Sequence, residues 1–239
     1  MKPTEKKGIM TGYADNRQEK PMQVIGITGG VGAGKSDILA FLQENCGAHV
    51  VQADLVGHLV MEPGTKAYQE ILKKFGKGIL RADGSIDRGI LGNIVFSDSK
   101  KRQILNGIIH PAVKQWIRSE LERVRREGNC RLFIIEAALL IEDHYEEICE
   151  EFWYIYTDPQ VRRERLKAAR GYTDEKIDAI FASQQSDTVF RTHCQAVIDN
   201  SGSREEARRQ IRALIKERKL SLETDMEKGI ATEKEGQKI

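Results

Sequence analysis

The sequence is poor in cysteine. Only four cysteines occur among its 239 residues, and no two of them have the Cys-x-x-Cys spacing of a metal-binding or redox pair. This scarcity argues against a disulfide scaffold and against a zinc knuckle. The first residues, MKPTEKKGIM, contain no apolar core of the kind that a signal peptide requires. We therefore expect a reduced, cytoplasmic protein.

Long apolar runs and an excess of one charge are missing as well. The longest apolar run, residues 132–141, is interrupted by Glu136 and is too short to span a bilayer. The net charge is +2, and residues 21–215 carry 27 basic and 27 acidic side chains. A nucleic-acid-binding domain usually carries a basic excess. We therefore expect neither a nucleic acid nor a membrane as a partner.

The chain does have enough apolar side chains for a core. Apolar residues make up 40% of it and charged residues 31%, which is the balance of a globular protein. The two ends lack apolar periodicity and are rich in charge. We predict a flexible N-terminal extension over 1–20, one folded domain over 21–215 and a polar C-terminal tail over 216–239.

Apolar patterning predicts strands that alternate with helices. Buried strands are predicted at residues 24–27, 49–52, 132–135, 152–157 and 196–199. Such alternation favours an α/β fold with a mostly parallel sheet covered on both faces.

The helical segments differ in length and in their expected place. Residues 66–127 are mostly helical and too long for one crossover, so they predict a small subdomain. Its clearest helix is predicted to begin at Pro111, because proline is favoured at the first helical position. Residues 160–185 are predicted to be helical with a break near Gly171, and the last helix is predicted at 203–216.

The strongest signal is the sequence GGVGAGKS at residues 29–36. It matches G-x-x-x-x-G-K-[ST] and lies between a predicted strand and a predicted helix. The glycines allow a tight turn whose N–H groups point at phosphate oxygens. Lys35 supplies positive charge for the β and γ phosphates, and the Ser36 hydroxyl is placed to bind Mg²⁺. The segment therefore predicts binding of a nucleoside triphosphate with Mg²⁺.

Several classes of protein share such a loop. Residues 54–57 fit the D-x-x-G pattern of a GTPase, but they follow Ser36 so closely that little room is left for a switch loop. The guanine-binding pattern Asn-Lys-x-Asp does not occur in the sequence. Glu136, at the end of an apolar strand, fits a motor or transporter ATPase and a small-molecule kinase equally well. A kinase for another nucleotide or small metabolite, and a switch without an acceptor, therefore remain alternatives.

Further residues occur in a fixed order along the chain. This order is a more specific sign of one protein family than the phosphate loop, which many families share. They are residues 24–37, Asp54, Glu62-Pro63-Gly64, Arg88 with Leu91, Val95 and Phe96, His110-Pro111, Leu139-Leu140 with Glu142, and residues 198–202. Over about 22–215 the sequence resembles the dephospho-CoA kinase family. This resemblance implies that the γ-phosphoryl group of ATP is transferred to the ribose 3′-hydroxyl of dephospho-CoA, the last step of coenzyme A biosynthesis. It also implies a P-loop three-layer α/β/α core, a helical CoA-binding subdomain over 66–127 and a helical lid over about 160–185.

The resemblance and the chemistry of the side chains together suggest site residues. The residues expected to act in catalysis are Asp54, Lys35, Arg165 and Arg170. Those expected to bind ATP are Gly30, Val31, Gly32, Ala33, Gly34, Lys35, Ser36, Asp37 and Asn200. Those expected to bind the acceptor are Thr28, Asp54, Arg88 and His110. Ser36 is also the expected Mg²⁺ ligand.

Each of these roles has a structural alternative. Asp54 follows a strand that is expected to neighbour the phosphate-loop strand. Its carboxylate can accept the proton of an attacking hydroxyl or orient that hydroxyl, or it can cap a helix. Four arginines lie in the lid segment, and of these we favour Arg165 and Arg170 as ATP contacts over a solvated helix face. Asn200 can pair with adenine, or it can form a turn, since Asn-Ser-Gly is a turn signal. His110 can bind the acceptor or satisfy a local hydrogen bond.

Several positions depart from the family pattern. Gln52 stands where the first Asp of Asp-Ala-Asp is usual, and Ala138 replaces a proline, which should loosen its loop. His193-Cys194 stand where Ala-Asp is usual, and the lid pattern from Arg165 to Arg170 is one residue longer. The loop lysine and Asp54 are kept. The expected partners are ATP and dephospho-CoA, and the expected state is a monomer or a weak homo-oligomer.

Overall fold

The computed structural model describes residues 22–220, which form a five-stranded sheet with helices on both sides. The strands are β1 (Gln23–Thr28), β2 (His49–Gln52), β3 (Leu132–Glu136), β4 (Glu151–Tyr156) and β5 (Ala196–Asp199). The helices are α1 (Lys35–Cys46), α2 (Ala53–Leu59), α3 (Lys66–Phe75), α4 (Arg88–Ser97), α5 (Ser99–Glu127), α6 (Pro159–Arg170), α7 (Asp174–Ala182), α8 (Asp187–His193) and α9 (Arg204–Arg218). No helix within residues 22–220 is both long and apolar enough to cross a membrane.

The sheet is parallel throughout, with the strand order β2-β3-β1-β4-β5. The five predicted strands are therefore confirmed, to within one residue at most ends. The expectation that the strand before Asp54 neighbours the loop strand is wrong, because β3 lies between β2 and β1. All five side chains of β3 are buried, so this strand occupies the interior of the sheet and leaves the shorter β2 at the edge.

Each face of the sheet carries its own core. Phe133 and Ile135 pack on one side with Ile117 of α5, whereas Ile134 packs on the other side with Phe41 of α1. Successive residues of a strand point to opposite faces, so a continuous apolar run such as β3 serves both cores. The resulting three layers agree with the α/β/α arrangement implied by the sequence.

The helical segment between β2 and β3 has a third core. It contains Ile71, Ile79, Ile86, Leu91 and Leu105, contributed by α3, α4, the turn between them and the start of α5. The segment therefore has apolar packing of its own, as its length suggests. That it binds CoA stays a prediction.

The predicted start of a helix at Pro111 is wrong, since α5 begins at Ser99 and has Pro111 in its interior. Asp98 provides the true start signal, because its side chain accepts hydrogen bonds from the backbone N–H groups of Lys100 and Lys101. Packing on both sides of the proline, by Leu105 and Val113, explains why the helix continues through it.

The remaining helices differ from the sequence expectation mainly at their ends. The break in the lid segment is confirmed, as Gly171 ends α6 in a left-handed conformation. The sequence pattern does not predict helices α2 and α8, because seven residues are too few to show a clear helical period. Helix α9 runs to Arg218 and Leu220 is buried, so the folded part continues beyond the predicted boundary at 215. Residues 1–20 and the tail from 221 onward lie outside the described residues.

A pair of isoleucines in α5 tests this packing. Ile117 is fully buried, and truncation to alanine is expected to lower the free energy of unfolding by about 2–5 kcal/mol. Ile104, on the same helix, is 42% exposed, and Ile104→Ala is expected to cost less than about 1 kcal/mol. Urea unfolding of both variants provides the comparison. Equal losses would contradict the placement of Ile117 in the sheet core.

Candidate active site

The phosphate loop connects β1 to α1 at the carboxyl edge of the sheet. Two of its glycines, Gly32 and Gly34, have φ angles of 83° and 79°, in the left-handed region that favours glycine. A Cβ on Gly34 would also lie 2.5 Å from the amide nitrogen of Asn200. The loop glycines are therefore required by backbone shape and by close neighbours.

The carbonyl groups of the loop are bonded to side chains from distant parts of the chain. The Ala33 carbonyl accepts hydrogen bonds from Thr157 Oγ1 at 3.0 Å and from Asn200 Nδ2 at 2.8 Å. The Val31 carbonyl accepts one from Arg162 Nε at 3.0 Å. With the carbonyls satisfied outside the loop, its N–H groups are available to an anion.

Lys35 lies in a cluster of opposite charge. Its ammonium group donates to the Gly29 carbonyl at 2.7 Å and is 3.5 Å from Glu136 Oε1. Glu136 is 8% exposed, and this burial raises the pKa of its carboxyl group. The positive charge of Lys35 and a hydrogen bond from Gln52 lower that pKa, while the negative charge of Asp54 raises it. These four side chains therefore form one electrostatic unit.

Asp54 faces a cavity of about 460 Å³. It belongs to the first turn of α2, and the cavity is closed by α5 and by the loop that follows β3. His110 lines the same cavity, with its Nδ1 atom 3.3 Å from Asp143 Oδ1. The structure therefore brings together Asp54 and His110, two of the predicted acceptor-binding residues.

Arg88 lies at a neighbouring cleft of about 350 Å³. Arg81 and Glu62 also line this cleft. His58 and Met61 line both the cleft and the Asp54 cavity, so the two spaces adjoin. An elongated ligand can therefore extend from one to the other.

The lid arginines have different surroundings. Arg165 donates to the Asn200 carbonyl at 2.9 Å and lies beside Gly34. Arg170, further along α6, is exposed, and its guanidinium carbon is 5.8 Å from the ring centre of Tyr172. The structure groups Arg165, but not Arg170, with the phosphate loop.

The other predicted ATP contacts lie around the start of α1. Ser36 is in the first turn of α1. Thr28, a predicted acceptor-binding residue, is buried at the end of β1, just before the loop. Asp37 forms an ion pair with Arg204 of α9 at 3.2 Å. The side-chain nitrogen of Asn200 binds the loop, as described above, and its pairing with adenine stays a prediction.

Three residues contact the site although the sequence does not favour them for it, and one of them, Arg162, is among the four arginines of the lid segment. Thr157 follows β4 directly, and nothing in the local sequence indicates its bond to Ala33. Arg162 precedes Arg165 by three residues, and this helical spacing is the one signal that places both on one face of α6. Gln52 stands out in the sequence only as a departure from the family pattern, yet it donates to Glu136.

Two other departures, Ala138 and Cys194, have different surroundings. Ala138 lines the Asp54 cavity. Cys194 follows α8 and packs against the sheet core, where burial raises the pKa of its thiol to about 12. Such a thiol is protonated at neutral pH and chemically inert.

The parallel sheet and the phosphate loop between β1 and α1 define a nucleotide-binding α/β protein of the P-loop class. A sequence model of dephospho-CoA kinase matches residues 23–206. A dephospho-CoA kinase of Symbiobacterium thermophilum is 38% identical over 80% of this chain and 80% of its own. One of Geobacillus kaustophilus is 37% identical over 81% of this chain and 95% of its own. The chain belongs to the dephospho-CoA kinase family.

A solved structure has the same fold. The crystal structure of TT1252 from Thermus thermophilus superposes with a TM-score of 0.70 and 28% identity. The match covers 83% of this chain and 98% of the other. The similarity therefore extends over the sheet and the helical segments together.

The Lys35–Glu136 pair predicts a measurable change in titration. Lys35→Met removes the charge that lowers the pKa of Glu136, so this pKa is expected to rise further above its ordinary value. An acid whose pKa is raised in the folded state binds more protons folded than unfolded. As pH rises above the ordinary pKa of a glutamate, the free energy of unfolding of the variant is therefore expected to fall more steeply than that of the unchanged protein.

Carboxyl-carbon NMR of Glu136 measures the shift. Lys167→Met is the matched control, because Lys167 is exposed and pairs with Asp174. This control is expected to leave the Glu136 titration unchanged. An unchanged or lower Glu136 pKa in Lys35→Met would contradict the electrostatic coupling.

Proposed function

We propose that the protein phosphorylates the ribose 3′-hydroxyl of dephospho-CoA with ATP, giving coenzyme A and ADP. The observation that carries this proposal is the position of Asp54, which lines a cavity and whose charge acts on Glu136, the ion-pair partner of the loop lysine Lys35. Family membership and the names of the relatives support the same reaction.

ATP binds with its phosphates in the loop of residues 29–36. Backbone N–H groups of the loop donate to phosphate oxygens. Lys35 leaves the Gly29 carbonyl and donates to the β and γ phosphates instead. Arg165 and Arg170 add positive charge from the lid when it closes, and Asn200 lies where the adenine edge approaches.

The side chains at the loop fit Mg²⁺, which prefers oxygen ligands. Ser36 offers a hydroxyl in the first turn of α1, and Glu136 a carboxylate beside Lys35. Bound Mg²⁺ neutralises charge on the β and γ phosphate oxygens. No group of three or more His, Cys, Asp or Glu side chains between residues 22 and 220 could hold a metal ion alone. We therefore assign Mg²⁺ to the complex with ATP.

Asp54 accepts the proton of the acceptor hydroxyl. The 3′-oxygen forms a bond to the γ phosphorus while the bond from that phosphorus to the bridging oxygen breaks, and ADP leaves. His110, Arg88 and Thr28 hold the acceptor, whose elongated shape matches the adjoining cavity and cleft.

In this proposal residues 66–127 form the CoA-binding subdomain and residues 160–185 form the lid. A cytoplasmic location and a monomeric or weakly oligomeric state stay predictions from sequence.

Acceptor dependence is the first test. ADP release from ATP and Mg²⁺ is expected to be slow without acceptor and to rise strongly with dephospho-CoA. Nucleoside monophosphates and shikimate serve as competing acceptors in parallel reactions. Equal ADP release without dephospho-CoA, or release stimulated only by another acceptor, would refute the proposal.

The second test concerns Asp54. Asp54→Asn is expected to lower kcat by about 100-fold or more, because the acceptor proton loses its base. The Kd for ATP, measured by calorimetry, is expected to change by a small factor only. Glu70→Gln removes one negative charge from an exposed site on α3 and is expected to leave both quantities unchanged. Near-normal turnover of Asp54→Asn would remove Asp54 from catalysis.

A further inference from the structure

The guanidinium group of Arg162 is fixed against the phosphate loop. Its Nε atom donates to the Val31 carbonyl at 3.0 Å, and Nη2 donates to Gln184 Oε1 at 2.5 Å. Its central carbon lies 4.2 Å from the ring centre of Phe181. Two hydrogen bonds and one ring face therefore determine its position before any ligand binds.

The guanidinium group also lies close to Gly30. A Cβ built on Gly30 would be 2.5 Å from the guanidinium carbon of Arg162 and 2.7 Å from Nη1. Gly30 has no positive φ angle, unlike its neighbours Gly29 and Gly32. A side chain at position 30 would therefore displace the guanidinium of Arg162, whereas the backbone conformation at this position does not call for glycine.

The charge of Arg162 has no counter-charge among residues 22–220. No carboxylate of this part of the chain pairs with it, and Nη1 has no acceptor there. Burial lowers the pKa of the half-buried guanidinium, and the hydroxyl of Tyr154 is the other group that affects it. The next arginine, Arg163, contrasts with it, because Arg163 pairs with both Asp174 and Asp178. A half-buried cation that no carboxylate neutralises is costly unless a ligand supplies the missing charge.

We propose that Arg162 is a fixed phosphate-binding residue of the donor site, held between Gly30 and Phe181, and that bound ATP supplies its counter-charge. The guanidinium lies against Gly30. The carbonyl of the preceding residue, Gly29, accepts the hydrogen bond from Lys35. A P-loop lysine reaches the β and γ phosphates. Arg162 adjoins this part of the loop. In this proposal Nη1, which has no acceptor among residues 22–220, is the atom that donates to the outer phosphates.

This role differs from that of a lid arginine that arrives on closure. Arg162 is already bound to the loop and to the ring of Phe181 in α7, so little side-chain freedom is lost when the phosphates bind. It also links the lid segment to the loop, through Val31 on one side and Gln184 on the other. The inference rests on the proposed use of ATP, but not on the identity of the acceptor.

Binding measured without acceptor tests the inference separately from the proposed reaction. Arg162→Gln is expected to weaken ATP and ADP binding by about tenfold or more, the usual effect of losing one charge-assisted hydrogen bond. AMP binding is expected to stay nearly unchanged, because AMP lacks the outer phosphates. Arg163→Gln, which removes the same charge one position along α6, is expected to leave all three affinities unchanged. Calorimetric titration provides each Kd.

Gly30→Ala tests the position of the Arg162 guanidinium against the loop without removing the arginine. The added methyl group is expected to displace the guanidinium and to reduce ATP affinity as much as Arg162→Gln does. The double variant is expected to be no worse than either single variant, since both remove the same contact. This variant also decides the question if Arg162→Gln does not fold.

Three results would overturn the inference. The first is an ATP affinity in Arg162→Gln that equals that of the unchanged protein. The second is an equal loss for AMP, ADP and ATP, which would indicate a structural role only. The third is an additive loss in the double variant, which would mean that the methyl group added by Gly30→Ala disturbs the loop without acting through Arg162. If the unchanged protein bound ATP and ADP but showed no acceptor-dependent turnover, the proposed reaction would be refuted and the inference about Arg162 would not.

Discussion

A phosphate loop can bind an anion only when its N–H groups face inward, and this requires that its carbonyl groups find donors outside. In this chain the donors come from far along the sequence. Thr157 and Asn200 both bind the Ala33 carbonyl, and Arg162 binds that of Val31. The loop is thus shaped by the ends of β4 and β5 and by α6 as much as by its own glycines.

The order of the strands brings the reacting groups together. Because β3 lies between β1 and β2, the carboxylate at its end is close both to the loop lysine and to the aspartate that follows β2. Burial makes Glu136 costly to ionise, and Lys35 offsets that cost while the loop is empty. When phosphates attract Lys35, Glu136 loses a counter-charge. In the proposed reaction, breaking this pair would oppose part of the attraction between the lysine and ATP, and would thereby weaken donor binding and favour product release.

Local patterns are sufficient to predict much of this protein. The five strands, the phosphate loop, Lys35 and the break at Gly171 all depend on residues close in sequence, and the structure agrees with them. The position of β2 does not follow from such patterns, because strand order depends on which strand is buried on both faces. The bonds of Thr157 and Arg162 to the loop join residues 124 and 131 positions apart, and no local pattern indicates them. The catalytic role of Asp54 stays a prediction, although the cavity beside it supports that role.

The interior proline of α5 has a mechanical consequence. The N-terminal part of this helix packs in the core of the helical subdomain through Leu105, and the part after Pro111 packs on the sheet through Val113. Since proline has no N–H group, the carbonyl of Gly107 lacks its helical donor. This missing hydrogen bond lies in the part of α5 that connects the two cores. Bending at this point breaks one hydrogen bond fewer than bending elsewhere in the helix. The stiffness that joins the subdomain to the sheet is therefore lowest beside His110, at the wall of the Asp54 cavity.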